Sequence, residues 1–159
     1  MNGTLKAFQL WRERAILTIS ATSEELADHV PDGFKNNIRW NAGHILANLN
    51  HKLEPLSDEK EELDSGFREL FLNGTSPADW EGRDVPLLET IILLLKEQQE
   101  WVLRNEKSIL NARLTKSFRG METGEELIQL LIGHDSMHIG VINSIKYASR
   151  IDDVWGKTK

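Results

Sequence analysis

The sequence predicts an all-α protein, a four-helix bundle, and three observations carry that expectation. Four stretches of the 159 residues place apolar side chains at helical spacing. Helix-starting signals stand ahead of the second, third and fourth of them. One long connection, residues 54–84, separates the second stretch from the third. Short loops join antiparallel neighbours in bundles, whereas a connection of this length can carry the chain back across the bundle. The second and third helices are therefore expected to run roughly parallel.

The first helix spans Leu5 to about Ser20, with Leu5, Phe8, Trp11, Ala15, Ile16 and Ile19 on its apolar face. Ser23-Glu24-Glu25-Leu26 can start a further short turn, and Pro31-Asp32-Gly33 ends it. The second helix runs from about Ile38 to Leu53 behind a cap at Asn36 or Asn37. Its apolar face is Ile38, Ala42, Ile45, Leu49 and Leu53. The long connection holds a short helix between Asp58 and Leu72. Asp84-Val85-Pro86 opens the third helix, which extends to about Asn111. Thr123-Gly124-Glu125-Glu126 matches a capping box and opens the fourth, which reaches about Tyr147. No repeat or low-complexity tract divides the chain, so residues 1–159 read as one domain.

Charge and composition narrow the function. A net charge of −6 argues against non-specific affinity for nucleic acid or anionic membranes. The longest apolar run, Ile91 to Leu95, is far short of the roughly 20 residues a bilayer requires. No leader of the secretory type is recognisable, and there is no cysteine, so a reducing cytoplasm is the expected location. The lack of cysteine also removes disulfides, Cys-type zinc sites and any protein thiol nucleophile. Any thiol chemistry must use a thiol that arrives as substrate.

The fourth helix carries the most informative residues. Leu127, Leu131, Val141 and Ile145 form one seam, and His134 and His138 fill its two missing rungs. Side chains four apart share a helix face, a spacing at which two imidazoles can grip one ion. Two imidazoles leave an ion under-ligated, and His44 on the second helix is the best third donor. It belongs to a polar stripe, Asn41, His44, Asn48 and His51. His51 is two turns beyond, about 10 Å along the axis, too far to share the ion. Asn48 is placed to line the pocket. Three imidazoles with an open position make a catalytic rather than a structural pattern. The pattern alone also admits a second reading, in which the histidines are buried and held only by hydrogen bonds.

Trp40-Asn41-Ala42-Gly43-His44-Ile45, with the Ser23–Leu26 turn before it, resembles the first metal-ligand region of DinB-like proteins. His134-Asp135-Ser136-Met137-His138-Ile139-Gly140 resembles that family's closing His-x-x-x-His-x-Gly motif, and the order of elements from Leu5 to Ala148 is similar throughout. The resemblance implies a four-helix bundle, often dimeric, with His44, His134 and His138 as ligands of a divalent ion, zinc first and nickel or another transition metal next. It further implies a metal-dependent enzyme whose characterised relatives are transferases and isomerases using a low-molecular-weight thiol such as bacillithiol, mycothiol or glutathione. A thiol-dependent S-transferase acting on a small molecule is the expectation. The alternatives are a non-enzymatic stress or scaffold dimer with a structural metal, and a metal-dependent phosphohydrolase with Asp152 or Asp153 as late ligands. A zinc protease with Asp135 as base fits less well, because Asp is shorter than the usual Glu and no third ligand follows His138.

Gly133 and Gly140 interrupt the fourth helix, where glycine costs about 1 kcal/mol relative to alanine. Close approach by the first helix or by a second subunit would account for them. Ile128, Ile132, Ile139 and Ile142 widen the apolar surface of this helix, the basis for expecting a homodimer. Trp11, Trp40, Trp80, Trp101 and Trp155 read as core or lid residues, His29 as solvated, and Glu59-Lys60-Glu61-Glu62 as an exposed face.

Overall fold

In the computed structural model, which describes residues 2–60 and 63–157, the chain is mostly helical. Asn2 opens α1 (Gly3–Ser20) by accepting the Leu5 amide at 2.9 Å. The buried line of α1 is Leu5, Phe8, Arg12, Ala15 and Ile19. Trp11 faces solvent instead of the core, and the neighbouring Arg12 takes the inward rung. Ser23 caps α2 (Glu24–Asp28), and Asn37, not Asn36, caps α3 (Ile38–Leu53) by accepting from the Trp40 amide at 2.8 Å. All five expected apolar positions of α3 are buried.

Two short 3₁₀ turns, Glu54–Leu56 and Pro77–Asp79, flank α4 (Ser65–Phe71) in the long connection. α4 is shorter than the expected 58–72 span, of which residues 61–62 lie outside the described residues, as does that part of the 59–62 acidic run. It presses Phe67, Leu70 and Phe71 onto the core. α5 (Leu88–Arg104) starts later than Asp84 because its cap is supplied from elsewhere. The Leu88 amide donates to the Glu24 carboxylate at 2.8 Å. The third predicted helix is also broken: Asn105 leaves helical geometry and its amide donates back to the Trp101 carbonyl, so a separate α6 (Glu106–Asn111) follows. Next comes a small antiparallel hairpin, β1 (Arg113–Phe118) and β2 (Met121–Thr123), which the sequence reading did not foresee in an otherwise helical chain. Its turn, Arg119 and Gly120, has positive φ at both positions, the conformation that matches hairpin twist. Thr123 then opens α7 (Gly124–Ala148) with the expected capping box.

α1 packs against α5 and α7, and α3 packs against the same two helices. Arg39, on α3, ties α2 to the residues that lead into α5: it makes paired bonds to Asp28 at 2.7 and 2.8 Å and donates to the Pro86 carbonyl. Further along the same pair of helices, Gln98 donates to the Leu46 carbonyl at 3.0 Å. The apolar core forms two clusters, one around Ile19, Ile45, Ile91 and Ile142, the other around Phe8, Leu49, Trp101 and Leu127. Along each long helix a buried polar residue falls between them: Arg12, Asn48, Gln98 and Asp135. Among the described residues, Arg12 Nε and Nη1 and Gln98 Oε1 have no hydrogen-bond partner. A layer of this kind opposes folding, since buried polar groups are costly unless satisfied. Its retention points to a task other than stability.

A Cβ added at Gly133 or Gly140 meets nothing within 4 Å, so α1 is not the reason for these glycines. The glycines that packing demands are Gly43, whose Cβ would lie 2.4 Å from the Phe71 ring, and Gly124, whose Cβ would overlap the Ile109 carbonyl. Ile128, Ile139 and Ile142 are buried inside the chain itself and Ile132 is half-buried. Among the described residues, no helix is long and apolar enough to cross a membrane.

Candidate metal centre

His44, His134 and His138 meet at the polar layer. One ring nitrogen from each lies within 4.8 Å of the other two, and the ring centroids are 4.5 to 5.1 Å apart. α7 supplies two rings one turn apart and α3 supplies the third. His44 and His138 are buried, whereas His134 is half-exposed and marks the open side.

The hydrogen bonds fix which nitrogen each ring presents. His44 Nδ1 lies 2.6 Å from the Phe71 carbonyl oxygen, which can only accept, so Nδ1 carries the hydrogen. His138 Nδ1 lies 2.8 Å from Asn41 Oδ1. The orientation of the Asn41 amide is itself settled, because its nitrogen donates to the Asn37 carbonyl at 2.7 Å. His134 Nδ1 donates to the Asp135 carboxylate at 3.2 Å, and Arg12 holds that carboxylate from its other oxygen at 3.3 Å. All three rings therefore keep hydrogen on Nδ1, which leaves Nε2 as the nitrogen of each that carries a free lone pair. His44 Nε2 and His134 Nε2 are 3.1 Å apart. Two ligands of a tetrahedral zinc ion with bonds of about 2.0–2.1 Å stand about 3.3 Å apart, so this pair has nearly the spacing of ligands to one ion.

Electrostatics favour the ligating form. Burial, reinforced by the neighbouring imidazoles His134 and His44, pulls His138 down to about 3. Burial also lowers His44, against the pull of the Phe71 carbonyl. Both rings are neutral at physiological pH, the state in which imidazole donates to a metal. Lone pairs converging without a proton between them repel, and a cation removes that repulsion. The donor set thus fits a divalent ion of the kind that takes imidazole nitrogen.

A profile of the DinB superfamily matches residues 7–142, which is most of the chain and includes all three histidines. The chain belongs to the DinB superfamily. No curated protein matches it.

In this DinB-superfamily chain the histidines face a cavity of about 680 Å³. Trp40 forms one wall, stacked on His44 at 4.6 Å with rings 9° from parallel and anchored by its indole N–H on Thr75. Asn48 lines the cavity as expected, its amide nitrogen 3.5 Å from both His134 nitrogens. His51 is exposed and lines a different cavity, and His29 is exposed at the end of α2. Asp135 points toward Arg12 and His134 Nδ1, which removes it as the base of a zinc protease. Asp152 and Asp153 lie beyond the end of α7 and are not in the histidine cluster. Two contributors escaped sequence reasoning. The Phe71 carbonyl has no side-chain signature. Arg12 lay on the line Leu5, Phe8, Ala15, Ile19 but reads as a surface residue by type. Trp40, expected as a core or lid residue, is the wall stacked on His44.

Proposed function

We propose that His44, His134 and His138 bind one divalent ion through Nε2 and that the chain is a metal-dependent enzyme acting with a low-molecular-weight thiol, as an S-transferase. The locked tautomers carry this reading: three separate acceptors, Phe71 O, Asn41 Oδ1 and Asp135, aim three lone pairs at one point. Outer partners of this type orient ligating imidazoles. A divalent ion held by these three rings would supply a Lewis acid able to stabilise a thiol as thiolate. Zinc is the favoured ion, and nickel binds the same donors.

The chain's own residues set the surroundings. His134, on the open side, borders the cavity, and Trp40 shields His44 from water. The absence of cysteine supports a thiol that comes as substrate and a reducing, cytoplasmic setting. We read the architecture as a four-helix bundle in which residues 54–87 carry the chain back, so that α3 and α5 run in the same direction. The Arg39–Pro86 and Gln98–Leu46 bonds, in matching order along both helices, support it.

The test uses untagged, zinc-loaded protein with monochlorobimane and a panel of thiols including glutathione and bacillithiol. Conjugation above the uncatalysed rate is expected with at least one thiol and is lost in His134→Ala. Equal rates for wild type and the triple histidine variant with every thiol would remove the transferase reading. A scaffold with a structural ion would instead unfold when the ion is stripped.

A further inference from the structure

The wall of the cavity farthest from the histidines is cationic. His44, Asn48 and Lys52 stand at successive turns of one face of α3, so Lys52 lies about 12 Å along the axis from His44. Both Lys52 and Arg119 line the cavity, and among the described residues no acidic side chain does, although the chain holds 25 acidic residues against 19 basic ones. The two cations flank the Phe118 ring: Lys52 Nζ is 3.8 Å and Arg119 Cζ 5.9 Å from its centroid. Among the described residues, neither forms an ion pair with a carboxylate.

Arg119 stands where a turn of this kind favours asparagine or glycine, at φ +52°. A long cationic side chain held in a disfavoured backbone conformation beside a cavity points to a task for that side chain. Leu130 and Leu131, one turn before His134 on the side of the hairpin, line the space between this wall and the histidines, which suits a carbon chain.

We propose that Lys52 and Arg119 form an anion subsite, and that the substrate is an elongated thiol whose sulfur lies at the histidines and whose carboxylate lies between these two cations. This rests on the metal reading above for the sulfur end only. The carboxylate end depends on residues of the hairpin and of the last turns of α3, which hold no part of the metal site.

The experiment compares 6-mercaptohexanoate with 6-mercaptohexanol on cobalt-loaded protein, read by the thiolate-to-cobalt absorption band. In parallel, hexanoate and hexanol are titrated into metal-free protein and followed by NMR. Wild type is expected to bind each acid about tenfold more tightly than the matching alcohol, the scale of a charge-assisted hydrogen bond. Lys52→Gln/Arg119→Asn, the asparagine chosen for its tolerance of positive φ, is expected to erase that preference. Its alcohol affinity, cobalt affinity and circular dichroism are expected to match wild type. Equal binding of acid and alcohol by wild type, or a preference that survives the double variant, overturns the subsite. Failure to bind cobalt would overturn the metal reading instead, and the metal-free arm would still decide the anion subsite.

Discussion

Gly43→Ala tests whether packing beneath α3 holds the histidine centre in place. The new Cβ would lie 2.4, 2.5 and 2.6 Å from three carbons of the Phe71 ring, about 1 Å inside ordinary contact. Phe71 is fully buried and wedged between Phe67, at 4.6 Å, and Trp80, at 5.6 Å, so its ring cannot turn aside. The strain must pass into α4, whose Phe71 carbonyl is the acceptor for His44 Nδ1. Overpacking of this kind costs about 1–3 kcal/mol. Displacement of the acceptor should also weaken metal binding by about 10-fold or more. Gly140→Ala is the control, because its Cβ meets nothing and helix propensity alone should stabilise it by about 0.5–1 kcal/mol. Urea unfolding followed by far-ultraviolet circular dichroism gives the stability, and zinc competition titration gives the affinity. Equal stabilities for the two alanine variants, or a Gly43→Ala protein that binds zinc as wild type does, would refute the coupling.

Three further outcomes are expected. Asn41→Leu removes the acceptor of His138 and should weaken zinc binding by about 10–100-fold, while Asn41→Asp, which keeps an acceptor, should retain most of it; equal losses would contradict the tautomer lock. Metal-free protein should lose stability on acidification, because the unfolded chain protonates His138 near 6.5 and the folded one only at about 3. Stability from this residue therefore falls as pH drops through that window, by about 2 kcal/mol between pH 6.5 and 5, and a His138→Leu variant with an unchanged urea midpoint slope against pH would contradict it. Gly133, Met137, Gly140, Ser144 and Tyr147 make an exposed stripe on α7, which predicts self-association; a clean 18.2 kDa species in sedimentation at micromolar concentration removes the dimer.

What could be read from the sequence depended on whether the signal was local. Asn37 and Thr123 cap helices through their own side chains, so the start of α7 is legible to the residue and that of α3 to within one. α5 is not, because Glu24, distant in sequence, supplies its cap. The hairpin was hidden by its turn: Arg119 stands where asparagine would have signalled it, and Leu114 and Phe118 are the only half-buried residues of β1. His134 and His138 were legible because helical spacing on an apolar seam singles them out, and His44 because it belongs to the polar stripe of the second helix. Their acceptors were less so, since Asn41 belongs to the recognised polar stripe but the Phe71 carbonyl comes from the long connection. Arg12 was hidden by its type, because arginine is a surface residue unless paired and its partner Asp135 lies on a helix distant in sequence.

The most direct test of the central claim is zinc stoichiometry and affinity by calorimetric titration of untagged protein, wild type beside the His44→Ala/His134→Ala/His138→Ala variant. Convergent Nε2 lone pairs predict one ion per chain, bound far more tightly than by the triple variant, with the helical circular dichroism of both proteins alike. Zinc bound no more tightly by wild type than by the triple variant would contradict the account.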